Sequence, residues 1–181
     1  MGKIWPIVLV ALLLLVGCAG SAPGGQPAGE TEPAAGALHG KLEPVDIAGL
    51  ELPVGQMLYV PAYSEIYDAD ETQTFNLSIM LSIRNTDLNR SIIIESVRYY
   101  NSDGDLVREY VESPLALAPM ATGEVAISRV DKTGGTGANF IVVWSATETV
   151  HEPVVEALMT STSQQQGLSF LSVATVLESR P

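Results

Sequence analysis

Every second residue is apolar across residues 74–84, "TFNLSIMLSIR". Phe75, Leu77, Ile79, Leu81 and Ile83 fall on one side, and Thr74, Asn76, Ser78, Ser82 and Arg84 on the other, with Met80 the single exception. Successive side chains of a strand point to opposite faces, so a period of two predicts extended chain with one buried face. One apolar face and one polar face is the pattern of an antiparallel sheet with a core on one side.

The same reading extends along the chain. Residues 85–90 form a polar turn, and "SIIIESVRYY" follows as a second strand whose alternation drifts at Glu95-Ser96, as at a β-bulge. "NSDGD" (101–105) breaks the run before "LVREYVE" resumes it, which predicts a hairpin. "LALAPMATGEVAIS" reads as a crossing between sheets, and "NFIVVWSA", apolar on both faces, as a central strand. "PVVEALMTST" and "LSFLSVATVLES" complete the set, with "EPVVEALM" the one short helix candidate. The fold expected is all-β: a β-sandwich of about seven to eight antiparallel strands, immunoglobulin- or fibronectin-like. The expected buried set includes Phe75, Leu77, Ile79, Leu81, Ile83, Phe140, Val142 and Trp144.

Composition changes sharply upstream. Lys3 precedes "IWPIVLVALLLLV", 13 residues without a charge. As a helix this run spans ~20 Å against a ~30 Å hydrocarbon core, too short for a membrane span and right for a secretory signal. It ends in Leu15-Val16-Gly17-Cys18, which resembles the lipobox of bacterial lipoproteins, where the cysteine is lipidated and becomes the first residue. Cys18 is the only cysteine, which excludes an intrachain disulfide. A lone buried or reactive thiol, the duller reading, fits its place after the apolar run poorly. Of the next 22 residues, 16 are Gly, Pro, Ala or Ser; such a stretch buries too little to fold and reads as a tether. The division expected is a signal peptide over residues 1–17, lipidated Cys18 with a tether over 18–54, and the sandwich over 55–181. A ~35-residue tether reaches ~30–35 Å.

The formal charge of −12 becomes −13 once Lys3 is removed with the signal. Such a chain is repelled by nucleic acid and by anionic headgroups, so no nucleic-acid partner is expected. Attachment to the membrane falls to acyl chains on Cys18. Residue 19 is Ala rather than Asp, which in a two-membrane bacterium points to the outer membrane, facing the periplasm.

The nearest approach to a catalytic motif is "VDKTGGTGANFIVVW" (130–144). A phosphate loop places Lys-Ser/Thr after its glycines and then opens a helix. Here Lys132 precedes Gly134, Gly135 and Gly137, and β-branched residues follow, so a turn is expected. The acidic turns 101–105 and 67–71 lack the oxygen set of a calcium loop. His39 lies in the tether, which leaves His151 alone in the domain and provides no histidine pair for zinc or iron. No "GxSxG" elbow accompanies the serines. No cofactor and no metal site is expected.

Several blocks together, "VPAYSEIY" (60–67), "LSIRNTD" (81–87), "VRYYNSDGDLVREY" (97–110), "LAPMATGE" (117–124), "GGTGANFIVVW" (134–144) and "QGLSF" (166–170), resemble a family of exported bacterial (lipo)protein domains of unknown function. The resemblance runs from about Gly55 to Val176 and implies an envelope protein, with no activity, cofactor or catalytic residue attached. The leading expectation is a non-enzymatic lipoprotein whose sandwich binds an envelope protein or ligand. Tyr63, Tyr67, Arg84 and Asn139, at strand ends, are its candidate contacts. The alternatives are an enzyme acting on an envelope polymer through carboxylates such as Asp103, Asp105 and Glu124, and a structural spacer.

Overall fold

A computed structural model describes residue 2 and residues 37–162 and 167–180. The chain divides into two units, Met1–Glu32 and Pro33–Pro181, and the strands among the described residues lie in the second. The apolar run, Cys18 and the first half of the expected tether lie outside the described residues.

The strands in chain order are β1 (His39–Gly40), β2 (Leu42–Pro44), β3 (Val54–Pro61), β4 (Glu65–Tyr67), β5 (Thr74–Asn76), β6 (Ser78–Arg84) and β7 (Ile92–Tyr100). They continue as β8 (Leu106–Glu109), β9 (Leu115–Leu117), β10 (Thr122–Ile127), β11 (Asn139–Ala146), β12 (Val154–Ser161), β13 (Leu168–Val173) and β14 (Thr175–Arg180). All pairings are antiparallel. One sheet has the order β1-β10-β6-β12-β13, and a second the order β14-β3-β11-β7-β9-β2, with β8 also on β7. The hairpin β4-β5 stands apart as its own two-stranded sheet. The two larger sheets form the expected sandwich. The strands outnumber the seven or eight expected because several are only two or three residues long.

Alternation builds the core as the sequence predicts. Leu77, Ile79, Leu81 and Ile83 are fully buried in one cluster with Val97, Phe140, Val142 and Trp144, and Phe75 packs against it from a partly buried position. The run 74–84 is nevertheless two elements, because residues 74–76 pair with β4 whereas residues 78–84 join the five-stranded sheet. Buried Leu77 is the pivot, its N–H donating to the Ser64 carbonyl at 2.9 Å. "EPVVEALM" is strand rather than helix, since Val155, Ala157 and Met159 are buried at a spacing of two.

Two corrections concern the domain's start. Residues 39–44, expected in the tether, are strands. His39–Gly40 pairs with β10 and Leu42–Pro44 with β9, and Leu38 and Leu42 pack on the core. His39 is therefore a half-buried edge residue. This short segment passes from one sheet to the other at Lys41 and closes one side of the sandwich. The opposite side is closed in the same way. Residues 168–173 pair with β12 and, after Ala174, residues 175–180 pair with β3.

The bulge falls where the alternation drifts. Val143 pairs with Ser96 and Trp144 with Ile94, which leaves Glu95 as the extra residue. Arg180 meets the Glu95 carboxylate with two hydrogen bonds of 2.7 and 3.0 Å.

Candidate functional site

Antiparallel connections place the loops at two ends of the sandwich. At one end lie the β4-β5 hairpin, the β7-β8 turn and the β10-β11 loop that carries the glycines. Residues 135–137 make a single 3₁₀ turn, too short to act as the helix of a phosphate loop. Three of its amides are already engaged. The Thr133 N–H donates to Asp131 Oδ1, the Gly135 N–H to the Lys132 carbonyl and the Gly137 N–H to Ser102 Oγ. An anion cradle needs such amides free, so the loop works as the expected turn.

Two serines from neighbouring connections fix this turn. Buried Ser64 donates its N–H and its hydroxyl to the Gly135 carbonyl at 3.1 and 3.2 Å. Ser102 does the same to Gly134, at 3.0 Å for each bond. Only Gly135 of the three glycines needs a left-handed backbone, at φ +71°. Gly134 has φ −77° and is glycine for a different reason: a Cβ there would overlap the Tyr99 hydroxyl. That hydroxyl is buried without a hydrogen-bond partner among the described residues. Burial pushes its pKa well above that of an ordinary tyrosine; the Ser64 hydroxyl, near but outside hydrogen-bonding geometry, opposes the rise and Asp131 adds to it.

Asn101 closes the β7-β8 turn, its Oδ1 accepting from the Asp103 and Asp105 amides at 3.0 and 2.8 Å. Between the β4-β5 hairpin and the β10-β11 loop is an open cleft of about 490 Å³, lined by Asp68, Gln73, Asn76, Arg129, Val130 and Lys132 among others.

Three of the four candidate contact residues share this end. Tyr67 closes β4 and is 58% exposed. Asn139 opens β11, opposite Pro61 and Tyr100. Tyr63 is half-buried against Phe170, ring centroids 5.8 Å apart. Arg84 sits at the other end, paired with Glu156 at 3.0 Å. Asp103 and Asp105 lie in a turn of the seven-stranded sheet, whereas Glu124 is on β10 of the other sheet. The fold does not gather these three into one site.

The opposite end holds a polar junction that alternation gave no means of finding. Asn85 Nδ2 donates to the carbonyls of Arg90, Leu117 and Ala118, at 2.8, 3.2 and 3.0 Å. Asp87 is nearly buried and accepts from the amides of Asn89, Arg90 and His151 at 2.9, 2.9 and 3.2 Å. The Asn89 amide is the first cause of its lowered pKa; burial opposes the shift, and the other two amides and the Arg90 charge support it. One asparagine and one aspartate thus tie three loops together. The only signal in the sequence was a polar triplet, Asn85-Thr86-Asp87, inside an expected turn.

Five of the six blocks that carry the family resemblance meet at these two junctions. Ser64, Ser102 and the glycine turn bring together 60–67, 97–110 and 134–144, while Asn85 and Asp87 join 81–87 to 117–124. Residues 55–177 match a family described as protein of unknown function, DUF3124. The chain belongs to that family. The match begins at Gly55, so β1 and β2 lie outside the DUF3124 region, which reaches into β14. No curated protein and no solved structure matches the chain. Among the described residues of the DUF3124 chain, no three His, Cys, Asp or Glu side chains come together as metal ligands would, and no helix is long and apolar enough to cross a membrane.

Proposed function

We propose that this protein is a lipid-anchored component of a bacterial envelope, held through Cys18, whose sandwich binds a partner through the loop end carrying Tyr63, Tyr67 and Asn139. The observation behind the proposal is how that end is built. Three connections are locked to one another by Ser64, Ser102 and the glycine turn, and beside them Tyr67 and Val130 stand exposed at 58% and 83%. A fixed loop scaffold displaying exposed aromatic and apolar residues is how a rigid β framework presents a binding surface, since little ordering entropy is lost on contact. The lipobox-like Leu15–Cys18 supports the anchor, and an acidic tethered domain suits a protein partner better than nucleic acid or an anionic membrane surface.

Two measurements test the reading. Replacing Cys18 by Ala is expected to abolish lipid labelling and leave an uncleaved precursor; normal trimming and soluble release of that variant overturns the anchor. A photo-crosslinking residue at Tyr67 is expected to capture one defined envelope protein in cells, while the same residue at Arg84 captures none. Equal capture at both positions, or none at either, overturns the loop-end surface.

A further inference from the structure

The two edges of the five-stranded sheet are built differently. On one side, β1 has two residues and passes directly into Lys41, Glu43 and Pro44. Short length, charge and proline are the devices that keep an edge from pairing with another chain. On the other side, β13 is Leu168-Ser-Phe-Leu-Ser-Val173, six residues without charge, proline or register break against β12. The β14 half of the same segment is blunted by a bulge at Leu177 and by Glu178 and Arg180. Among the described residues no strand pairs with the outer side of β13, and its one bond to the other sheet is made by a side chain, the Ser172 hydroxyl donating to the Pro61 carbonyl of β3. Its Leu171 and Val173 are 51% and 61% exposed.

The pairing register places an apolar row across the outer face of this sheet. Ala126 lies opposite Met80, Met80 opposite Leu158, and Leu158 opposite Leu171, where the row stops at the open edge. We propose that this edge is a pairing site for a second copy of the chain, β13 to β13, antiparallel about a two-fold axis at Leu171.

The geometry selects that register. Antiparallel partners share a face, so a two-fold axis must pass through a residue rather than between two. An axis at Leu171 sets Leu171 against its own copy, Ser169 against Val173 and Phe170 against Ser172. It continues the apolar row into the partner. Charge points the same way. The chain carries a formal charge of −12, and like charges placed opposite one another destabilise strand pairs. β13 brings none, and Glu156, opposite Val173 on β12, is engaged by Arg84 at 3.0 Å. A basic partner strand, by contrast, would find no carboxylate on β13 to hold it. One strand pair buries less than the ~1,000 Å² of a stable interface, so the association is weak, and salt strengthens it by screening the net repulsion.

Single cysteines in the full-length chain test the register, with Cys18 present in every variant as a common background. Under copper–phenanthroline oxidation, Leu171→Cys should give at least about fivefold more disulfide dimer than Leu177→Cys or Val130→Cys, because only facing Cβ atoms within disulfide reach can close. Ser169→Cys mixed with Val173→Cys should crosslink better than either alone. Equal yields at positions 171, 177 and 130, or adducts from 171 to a different polypeptide, overturn the proposal. Sedimentation of the unmodified chain in detergent, from about 10 μM to about 1 mM, covers weak complexes. A dimer that grows with added NaCl and is lost in Leu171→Lys supports the proposal, and a monomer at every concentration overturns it.

Discussion

Arg180 grips Glu95 across two intervening strands, with guanidinium–carboxylate bonds of 2.7 and 3.0 Å. β14 and β7 are separated by β3 and β11, and the side chain passes over Gly55, where a Cβ would sit 3.2 Å from Arg180 Cδ and 2.6 Å from the Trp144 carbonyl. The bulge that frees Glu95 from the ladder and the glycine beneath Arg180 serve a single contact.

Burial acts to raise the Glu95 carboxyl, but the Arg180 hydrogen bond and charge, with the nearby Ser145 hydroxyl, outweigh it and hold the pKa below the ordinary 4.5. A depressed carboxylate stabilises the fold above its unfolded pKa and loses that contribution as pH falls through the folded one. Arg180→Met is therefore expected to destabilise by about 1 kcal/mol at pH 7, in keeping with a partly exposed bidentate pair. The deficit should shrink below about pH 4.5, as Glu95 protonates in the unfolded chain. A deficit unchanged from pH 7 to pH 3 in denaturant melts would contradict the assignment.

Gly55→Ala is expected to act on the same contact by crowding the Trp144 carbonyl and lifting Arg180. Its cost should be about 1–3 kcal/mol, as for other additions into close packing, and smaller when Arg180 is already Met. Additive costs in that double-mutant cycle would show that the two sites are independent.

Asp87 gives the second pH signature. Its carboxylate accepts three amides from two loops, and its pKa lies below the ordinary 3.8. Asp87→Asn keeps the shape and removes the charge, so it should lower the melting temperature at pH 7 more than Asp68→Asn on the hairpin. The gap should close as pH falls below about 4, since stability from a depressed carboxylate is lost there. Thermal melts across pH 3–7 decide it.

At the glycine turns the positions separate by cause. Gly104 and Gly135 hold φ of +86° and +71°, so alanine at Gly104 costs ~1 kcal/mol through backbone strain, and at Gly135 more, because its Cβ would also sit 2.6 Å from Ser102 Oγ. Gly134→Ala costs more although its φ is negative, because the new Cβ meets the Tyr99 hydroxyl. Tyr99→Phe removes a hydroxyl with no hydrogen-bond partner among the described residues. It should be near neutral alone and recover part of the Gly134→Ala loss, as calorimetry of the single and double variants would show. ATP or phosphate should shift none of these melting temperatures.

Alternation made the long strands readable: residues 78–84, 92–100 and 139–146 are strands, and the drift at Glu95 is a bulge. Period-two patterning reports burial on one face, and it is silent about which sheet a strand joins. Nothing in "LSFLSVATVLES" marks Ala174 as the point where the segment changes sheets. Residues 39–44 were hidden for another reason. Strands of two and three residues ending in Pro44 are too short to show any period, and their place is set by partners far along the chain, on β9 and β10. At the candidate site, strand ends were legible but not which end. Tyr63, Tyr67 and Asn139 fall together and Arg84 falls opposite, because that grouping depends on connection topology rather than on local pattern.

The N-terminal segment enters the sandwich at His39, on a strand of two residues. Any pull along that segment therefore loads β1 first, and an antiparallel edge pair opened from its end separates one contact at a time instead of all at once. Gly40 and Lys41 would yield before β2 felt the load, and the core strands β3, β6 and β11 would feel it only after β2 had let go. Under a pull that peels β1 from β10, the first few residues of the fold would give up length before the core strands moved.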